Sequence, residues 1–403
     1  MANIFKTGKG KIMKKFLALA LALLMASAAF VGCAPATDAG DENVIRIGVF
    51  EPLTGDSASG GKKELLGVQY ANAETPTVTL GDVEYKIEVV YSDNGSTTDK
   101  APSAAATLVD KDVSIVLGSY GSGVSMAASD TFDQAGLAAM GITCTNPNVT
   151  KGNEHYFRIC FLDPFQGSVL ANFAMDKCGA KKAYLLGELG NEYDQGLLTF
   201  FEQTFTAAGG EVVKADFPTN TADFTQYLNT AKAEECDVIF IPVSIAYATQ
   251  IVSQAARLDI GLPILGSDTL DDNKVLEAAK GTETELYVST FYQEGGSPEF
   301  DEGIKNYINT NADALTANGG DDTISAVTAM GYDAYYVALE AIKAAGSGDK
   351  AAVKAALPEV TYSGVSGEIA FDEVGDAIRD TAYIKTVDTE NGVWELETVQ
   401  KAQ

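Results

Sequence analysis

The residues of this chain that could do chemistry are hydroxyls and one acid, each placed where a short apolar run ends. Ser122 follows Ile115-Val-Leu117 through the glycine-rich turn Gly118-Ser-Tyr-Gly121 and opens a segment of helical spacing. A hydroxyl beside the free N–H groups of a helix start is a ready site for a carboxylate, helped by the helix dipole. The same residue would also serve as a plain helix cap. Gly141-Ile-Thr143-Cys144-Thr145-Asn146-Pro147 ends the next run and brings further hydroxyls and backbone groups to a sheet edge, and Leu53 to Gly60 makes a third wall. Later in the chain, Gly190-Asn-Glu-Tyr193 sets Tyr193 just before a helix, Ile241-Pro-Val-Ser244 ends a strand, and Leu265-Gly-Ser-Asp268 ends another with a carboxylate. Taken alone, Asp268 also reads as a turn residue. Together the pieces suit a zwitterion, with hydroxyls and helix N–H groups for its carboxylate and an acid for its ammonium.

Other motifs fail on their spacing. Gly55-Asp-Ser-Ala-Ser-Gly-Gly61-Lys62-Lys63 is one residue off a phosphate loop, and Lys63 replaces the hydroxyl that would hold magnesium. The turn around Gly118 is not a dinucleotide fingerprint, and no G-x-S-x-G nucleophile elbow occurs. His155 is the single histidine, so metal sites of histidine type and most hydrolase triads are hard to build. Cys144, Cys160, Cys178 and Cys236 form no CxxC pair and read as small apolar fillers. No catalytic residue, metal or cofactor is therefore expected.

The elements that must position these residues alternate. Val44–Phe50, Tyr85–Tyr91, Val113–Leu117 and Leu137–Ile142 read as strands, separated by helices near 61–74, 99–109 and 122–134. The same grammar restarts at Phe165. Helices are expected at 165–178, 195–208, 221–233 and 246–258, with strands at 182–186, 211–216, 237–241 and 263–266. Strands alternating with helices of this length imply βαβ units on parallel sheets, and two such runs imply two α/β lobes. The strand Tyr287–Phe291 and the helices at 299–311 and 324–345 are left without a place by periodicity alone.

Lys plus Arg number 28 against 56 Asp plus Glu. That balance argues against nucleic acid, because phosphate binding rests on clustered cations. At the N-terminus, Lys14 and Lys15 precede the apolar run Phe16–Val31, then Gly32 and Cys33. The run is short for a spanning helix and has the order of an export leader; Met13 reads as a better start for it than Met1. Cys33 after Gly32 resembles the lipobox of bacterial lipoproteins, which implies cleavage before Cys33, lipid on its sulfur, and a tether over residues 33–43.

In the order and spacing of its motifs, the chain resembles the branched-chain amino-acid type of ABC-transporter substrate-binding proteins. The carrying stretches are Ile47-Gly-Val-Phe-Glu-Pro-Leu-Thr-Gly55, Val116–Ser122, Thr145-Asn-Pro147, Arg158, Asp194-Gln-Gly196, Gln254–Leu258 with Pro263–Gly266, Gly331-Tyr-Asp-Ala334 and Gly364-Val-Ser-Gly367. The resemblance implies a type I periplasmic-binding fold, with two doubly wound parallel-sheet lobes on a three-strand hinge. Lobe 1 would comprise 44–162 and 288–380, and lobe 2 would comprise 163–287 and 381–403. Crossings would fall near Leu162, Tyr287 and Thr381. It further implies that Ser122 and Thr145 hold an α-carboxylate, that Thr143 and Thr145 serve the ammonium opposite Asp268, and that Tyr193 closes over the ligand, with Cys144 and Ser244 nearby. The expected partners are a small amino acid and a membrane permease, and a monomer is expected. Gly60 stands where the family can have an aromatic pocket wall, and Ser244 or Ile245 where it often has tyrosine. No cysteine pair matches the first-lobe disulfide of some members. An amide, a urea-like compound or an aromatic acid is the alternative ligand, and a sensor without transport the alternative role.

Overall fold

A computed structural model describes residues 43–401. The leader, most of the tether and Cys33 lie outside the described residues. Among those described, no helix is long and apolar enough to cross a membrane.

Two large sheets carry the described residues, and a short antiparallel pair, β12 (Thr361–Gly364) with β13 (Gly367–Ala370), stands apart from them. The first has the order β2-β3-β1-β4-β5-β6, from β1 (Val44–Glu51), β2 (Thr77–Leu80), β3 (Val83–Asp93), β4 (Ile115–Leu117), β5 (Ala139–Gly141) and β6 (Tyr156–Arg158). The strands β1, β4, β5 and β6 pair in parallel, with Val49 opposite Leu117, Leu117 opposite Met140 and Gly141 opposite Arg158. The central strands β4 and β5 are buried along their whole length, as expected for a sheet covered by helices on both faces. The second sheet is built from β7 (Lys182–Glu188), β8 (Glu211–Phe217), β9 (Val238–Ile241), β10 (Ile264–Gly266), β11 (Leu286–Thr290), β14 (Thr381–Asp388) and β15 (Val393–Lys401). Its order is β15-β14-β11-β10-β9-β7-β8, parallel from β8 through β11 and antiparallel beyond.

One expectation is corrected here. The strand Leu286–Thr290 does not go back to the first lobe at residue 288. It pairs in parallel with β10, Ile264 opposite Leu286 and Gly266 opposite Val288, and all five of its residues are buried. Its apolar sequence fits only a covered position inside a sheet, and the second sheet supplies that position. The chain crosses after it.

The helices that follow do return to the first sheet. Helix Ala326–Ala345 lies on helix Ala58–Glu74 so closely that a Cβ at Gly67 would sit 2.0 Å from Thr328 O. A Cβ at Gly331 would likewise sit 2.1 Å from Glu64 O, so only glycine permits this crossing. The three crossings run side by side: the rings of Phe161 and Phe291 are 4.1 Å apart, and Arg379 Nε donates to Ile159 O.

Arg158 anchors the first-lobe loop that follows β5. It is fully buried, and its Nη1 donates to Cys144 O at 2.9 Å and to Asn146 O at 2.6 Å. Its Nη2 reaches Thr150 Oγ1 at 3.0 Å, and its Nε pairs with Asp376. Replacing Arg158 by Met strands the Asp376 carboxylate and two carbonyls. We expect a loss of about 3–5 kcal/mol in urea unfolding, the scale for breaking a buried ion pair from one side.

Candidate ligand-binding cleft

The C-terminal ends of the parallel strands of both sheets meet at the gap between the lobes, the place where open α/β sheets take ligands. Seven residues were expected there, and the structure gathers six of them about it. Ser122 is the first residue of helix Ser122–Gln134, not its cap; Gly121 holds the cap position and no side chain caps the helix. The Ser122 hydroxyl accepts from Asn146 N at 3.2 Å. A cavity of about 290 Å³ opens on this helix start, and its walls include Asp56 and Ser122 from one lobe and Glu188, Asn191 and Ser244 from the other. The Ser244 hydroxyl is buried without a hydrogen-bond partner.

Thr143, Thr145, Tyr193 and Asp268 do not line this cavity; they lie closed off from solvent. Asp268 Oδ1 accepts from Gln166 Nε2 and from Tyr193 OH, both at 2.8 Å. The Tyr193 hydroxyl is thus committed to holding Asp268. Thr145 Oγ1 has no partner, while its carbonyl accepts from Asp163 N at 3.0 Å. Thr143 donates its hydroxyl to Glu64 Oε1. Cys144 is the correction: its side chain is wholly buried in the first-lobe core with Phe50, Val116 and Tyr156, and its sulfur lies over Gly141. The small apolar thiol fills space among those side chains, while the neighbouring Thr143 hydroxyl goes to Glu64.

Several residues of this region were not singled out from the sequence. Glu51, Glu64, Asp163 and Gln166 are all completely buried, and so is most of Tyr120. The Tyr120 ring occupies the space beside Gly60: a Cβ on Gly60 would come within 2.3 Å of it. The aromatic wall missing at position 60 is therefore supplied from position 120, and Tyr120 OH reaches Thr269 O of the opposite lobe at 3.4 Å.

Buried acids here fall into two groups. Asp272 meets Lys63 Nζ across the gap at 2.6 Å, with Ser59 Oγ at 2.8 Å; Asp271 meets Lys385 at 2.9 Å; Asp376 meets Arg158. Asp268, Asp163 and Glu64 have no salt bridge among the described residues. Both Asp163 oxygens and Glu64 Oε2 are buried without a donor. Burial accordingly pushes Asp268 up to about 6, against the hydrogen bonds from Gln166 and Tyr193. Burial likewise pushes Asp163 up to about 7, with the charge of Asp268 adding to it. A cation brought between the lobes would meet uncompensated negative charge, and a carboxylate would find the uncapped helix start.

The comparisons with known proteins agree with this geometry. Residues 44–392 match the family described as periplasmic binding protein. The chain belongs to that family. It is 28% identical to the Leu/Ile/Val-binding protein BraC3 of Rhizobium johnstonii over 363 residues, 88% of this chain and 93% of the other. A solved leucine-binding protein, LivK from Thermotoga maritima, superposes with a TM-score of 0.78 at 30% identity, covering 89% of this chain and 99% of that one. The branched-chain amino-acid binding protein LivJ from Streptococcus pneumoniae, solved with isoleucine, gives 0.76 at 26% identity over 89% and 99%. The type I fold is thereby established. A benzoate-bound solute-binding protein from R. palustris shares it too, at a TM-score of 0.77 and 19% identity.

The acids without a salt bridge set opposite pH trends in affinity and in stability. Were Asp268 the partner of an ammonium, it would have to be ionised, and the expected outcome is an amino-acid affinity that falls as pH drops through about 6, approaching tenfold per unit. Asp268 and Asp163 bind protons more tightly folded than unfolded. Between roughly pH 4 and 7 the native state therefore carries the extra protons, and ligand-free stability declines as pH rises. Calorimetric titrations and melting curves across that range check both signs; Tyr193→Phe, which removes one bond to Asp268, moves the affinity midpoint upward.

Proposed function

We propose that this periplasmic binding protein is the substrate-binding component of an ABC transporter, taking up an amino acid of aliphatic side chain between its lobes. The observation that carries the reading is Asp268, a buried acid held by Gln166 and Tyr193 yet without a cation among the described residues. The α-ammonium supplies the missing positive charge. The α-carboxylate goes to the uncapped helix start at Ser122 and to the free hydroxyl of Thr145. The names of the relatives, which bind leucine, isoleucine and valine, support this ligand class.

Because the two ends of the ligand are held by different lobes, only the closed form satisfies both. That difference in affinity shifts open to closed, by hinge motion at the crossings near Leu162, Phe291 and Thr381. The closed shape is then what a membrane permease recognises. Residues 44–162 with 292–380, and 163–291 with 381–403, act as the two moving bodies. Cleavage before Cys33 and lipid on its sulfur tether the protein, as a monomer, to the outer face of the cell membrane.

The test is a thermal-shift screen on leaderless protein that has been unfolded and refolded to strip any bound molecule. Leucine, isoleucine or valine should raise the melting temperature with concentration. Asp268→Ala should weaken the best of them at least tenfold by calorimetry, about 1.4 kcal/mol. Stabilisation by benzoate or an amide and by no amino acid, or unchanged affinity in Asp268→Ala, would exclude this assignment.

A further inference from the structure

Thr143 has one hydroxyl proton and gives it to Glu64. Glu64 Oε1 accepts from Thr143 Oγ1, and a carboxylate oxygen has only lone pairs to offer. Behind Glu64 lies Glu51, at the end of β1. Glu51 Oε1 and Glu64 Oε2 are buried with no donor of their own among the described residues, and one proton held between the two acids would satisfy both. Glu51 is fixed in turn: its Oε2 accepts from Tyr120 N at 2.8 Å, and its carboxyl packs so tightly on Gly118 that a Cβ there would lie 2.3 Å from Oε1. Whichever acid holds that proton, Glu64 Oε1 keeps its lone pairs for the Thr143 hydroxyl, its one partner among the described residues. The chain then has one direction. Thr143 donates to Glu64 Oε1 and is left with lone pairs alone.

We propose that Glu64 is a positioning residue that makes Thr143 an obligate hydrogen-bond acceptor, so that this site demands a protonated amine on its ligand. The inference rests on the amino-acid reading above and sharpens it. A hydroxyl that has already donated its proton welcomes an ammonium and repels a carboxylate. The device thus separates an amino acid from the same acid without its amine, a distinction that the shared fold does not make.

The test titrates L-leucine and its desamino analogue, isocaproate, into stripped wild-type protein and Glu64→Gln. In the variant, the proton of Glu51 claims the Gln carbonyl, so the amide N–H turns to Thr143. Thr143 then points its own proton at the ligand. Leucine affinity should fall at least tenfold, while isocaproate affinity stays within threefold or improves. Equal losses for both ligands, or no loss for leucine, would overturn the role of Glu64. A wild type that binds isocaproate as tightly as leucine would instead overturn the amino-acid reading. Thr143→Val leaves both acids in place and removes the acceptor, so it serves if Glu64→Gln does not fold. Loss confined to leucine supports the proposal, and an intact preference for leucine sinks it.

Discussion

A carboxylate removed from water has to be compensated, by a cation or by donors enough to hold its charge, and this requirement organises the space between the lobes. Leaving one uncompensated costs several kcal/mol even after local relaxation. The chain meets the requirement where it builds its frame: Lys63 on Asp272, Lys385 on Asp271 and Arg158 on Asp376 are all buried pairs. It leaves the requirement unmet at Asp268, Asp163 and Glu64. The unmet set gathers about Asp268, which follows the C-terminal end of β10, with Glu64 and Asp163 brought near its charge by their helices. Polar groups that are poorly satisfied without a guest are a means of binding one.

The frame pairs also bear on how the lobes come together. Lys63 stands on the helix packed against Ala326–Ala345, while Asp272 caps the helix Asn273–Ala279 of the other lobe. Asp271 beside it accepts from the N–H of Ala326, at the start of that first-lobe helix. The approach of the lobes therefore has its own buried contacts, and a ligand adds to them rather than creating the closed arrangement alone. Tyr120 takes part as well. It enters the second-lobe core from the first-lobe turn and fills the room left by Gly60, so that one position sets the shape of the site while another makes space for it.

Much of this was legible in the sequence. Strand–helix alternation placed both parallel sheets, and helix Ser122–Gln134 lies where the spacing put it. Ser122, Ser244 and Asp268 could be placed after strand ends because turn chemistry marks those ends. What periodicity does not carry is which sheet a short apolar strand joins, and Leu286–Thr290 was misplaced for that reason. Tyr156–Arg158 went unread because arginine normally signals surface, whereas here Asp376 and three oxygens of the chain hold it inside. Glu64 carries no motif of its own; its one local sign is that it shares a helix stripe with the small residues Gly60, Gly67 and Ala71. Glu51 ends a strand of apolar residues, the one local sign that its carboxyl goes inward. Cys144 was drawn to the site by its neighbours in sequence, whereas its apolar thiol is buried in the first-lobe core.

The most direct measurement is a crystal structure of the stripped protein grown with leucine. The account predicts the ligand ammonium within hydrogen-bonding distance of Asp268 and Thr143, and the ligand carboxylate on Ser122 and Thr145, with the lobes closed over both. Leucine bound elsewhere, or bound between the lobes with its charged ends reversed, would contradict it.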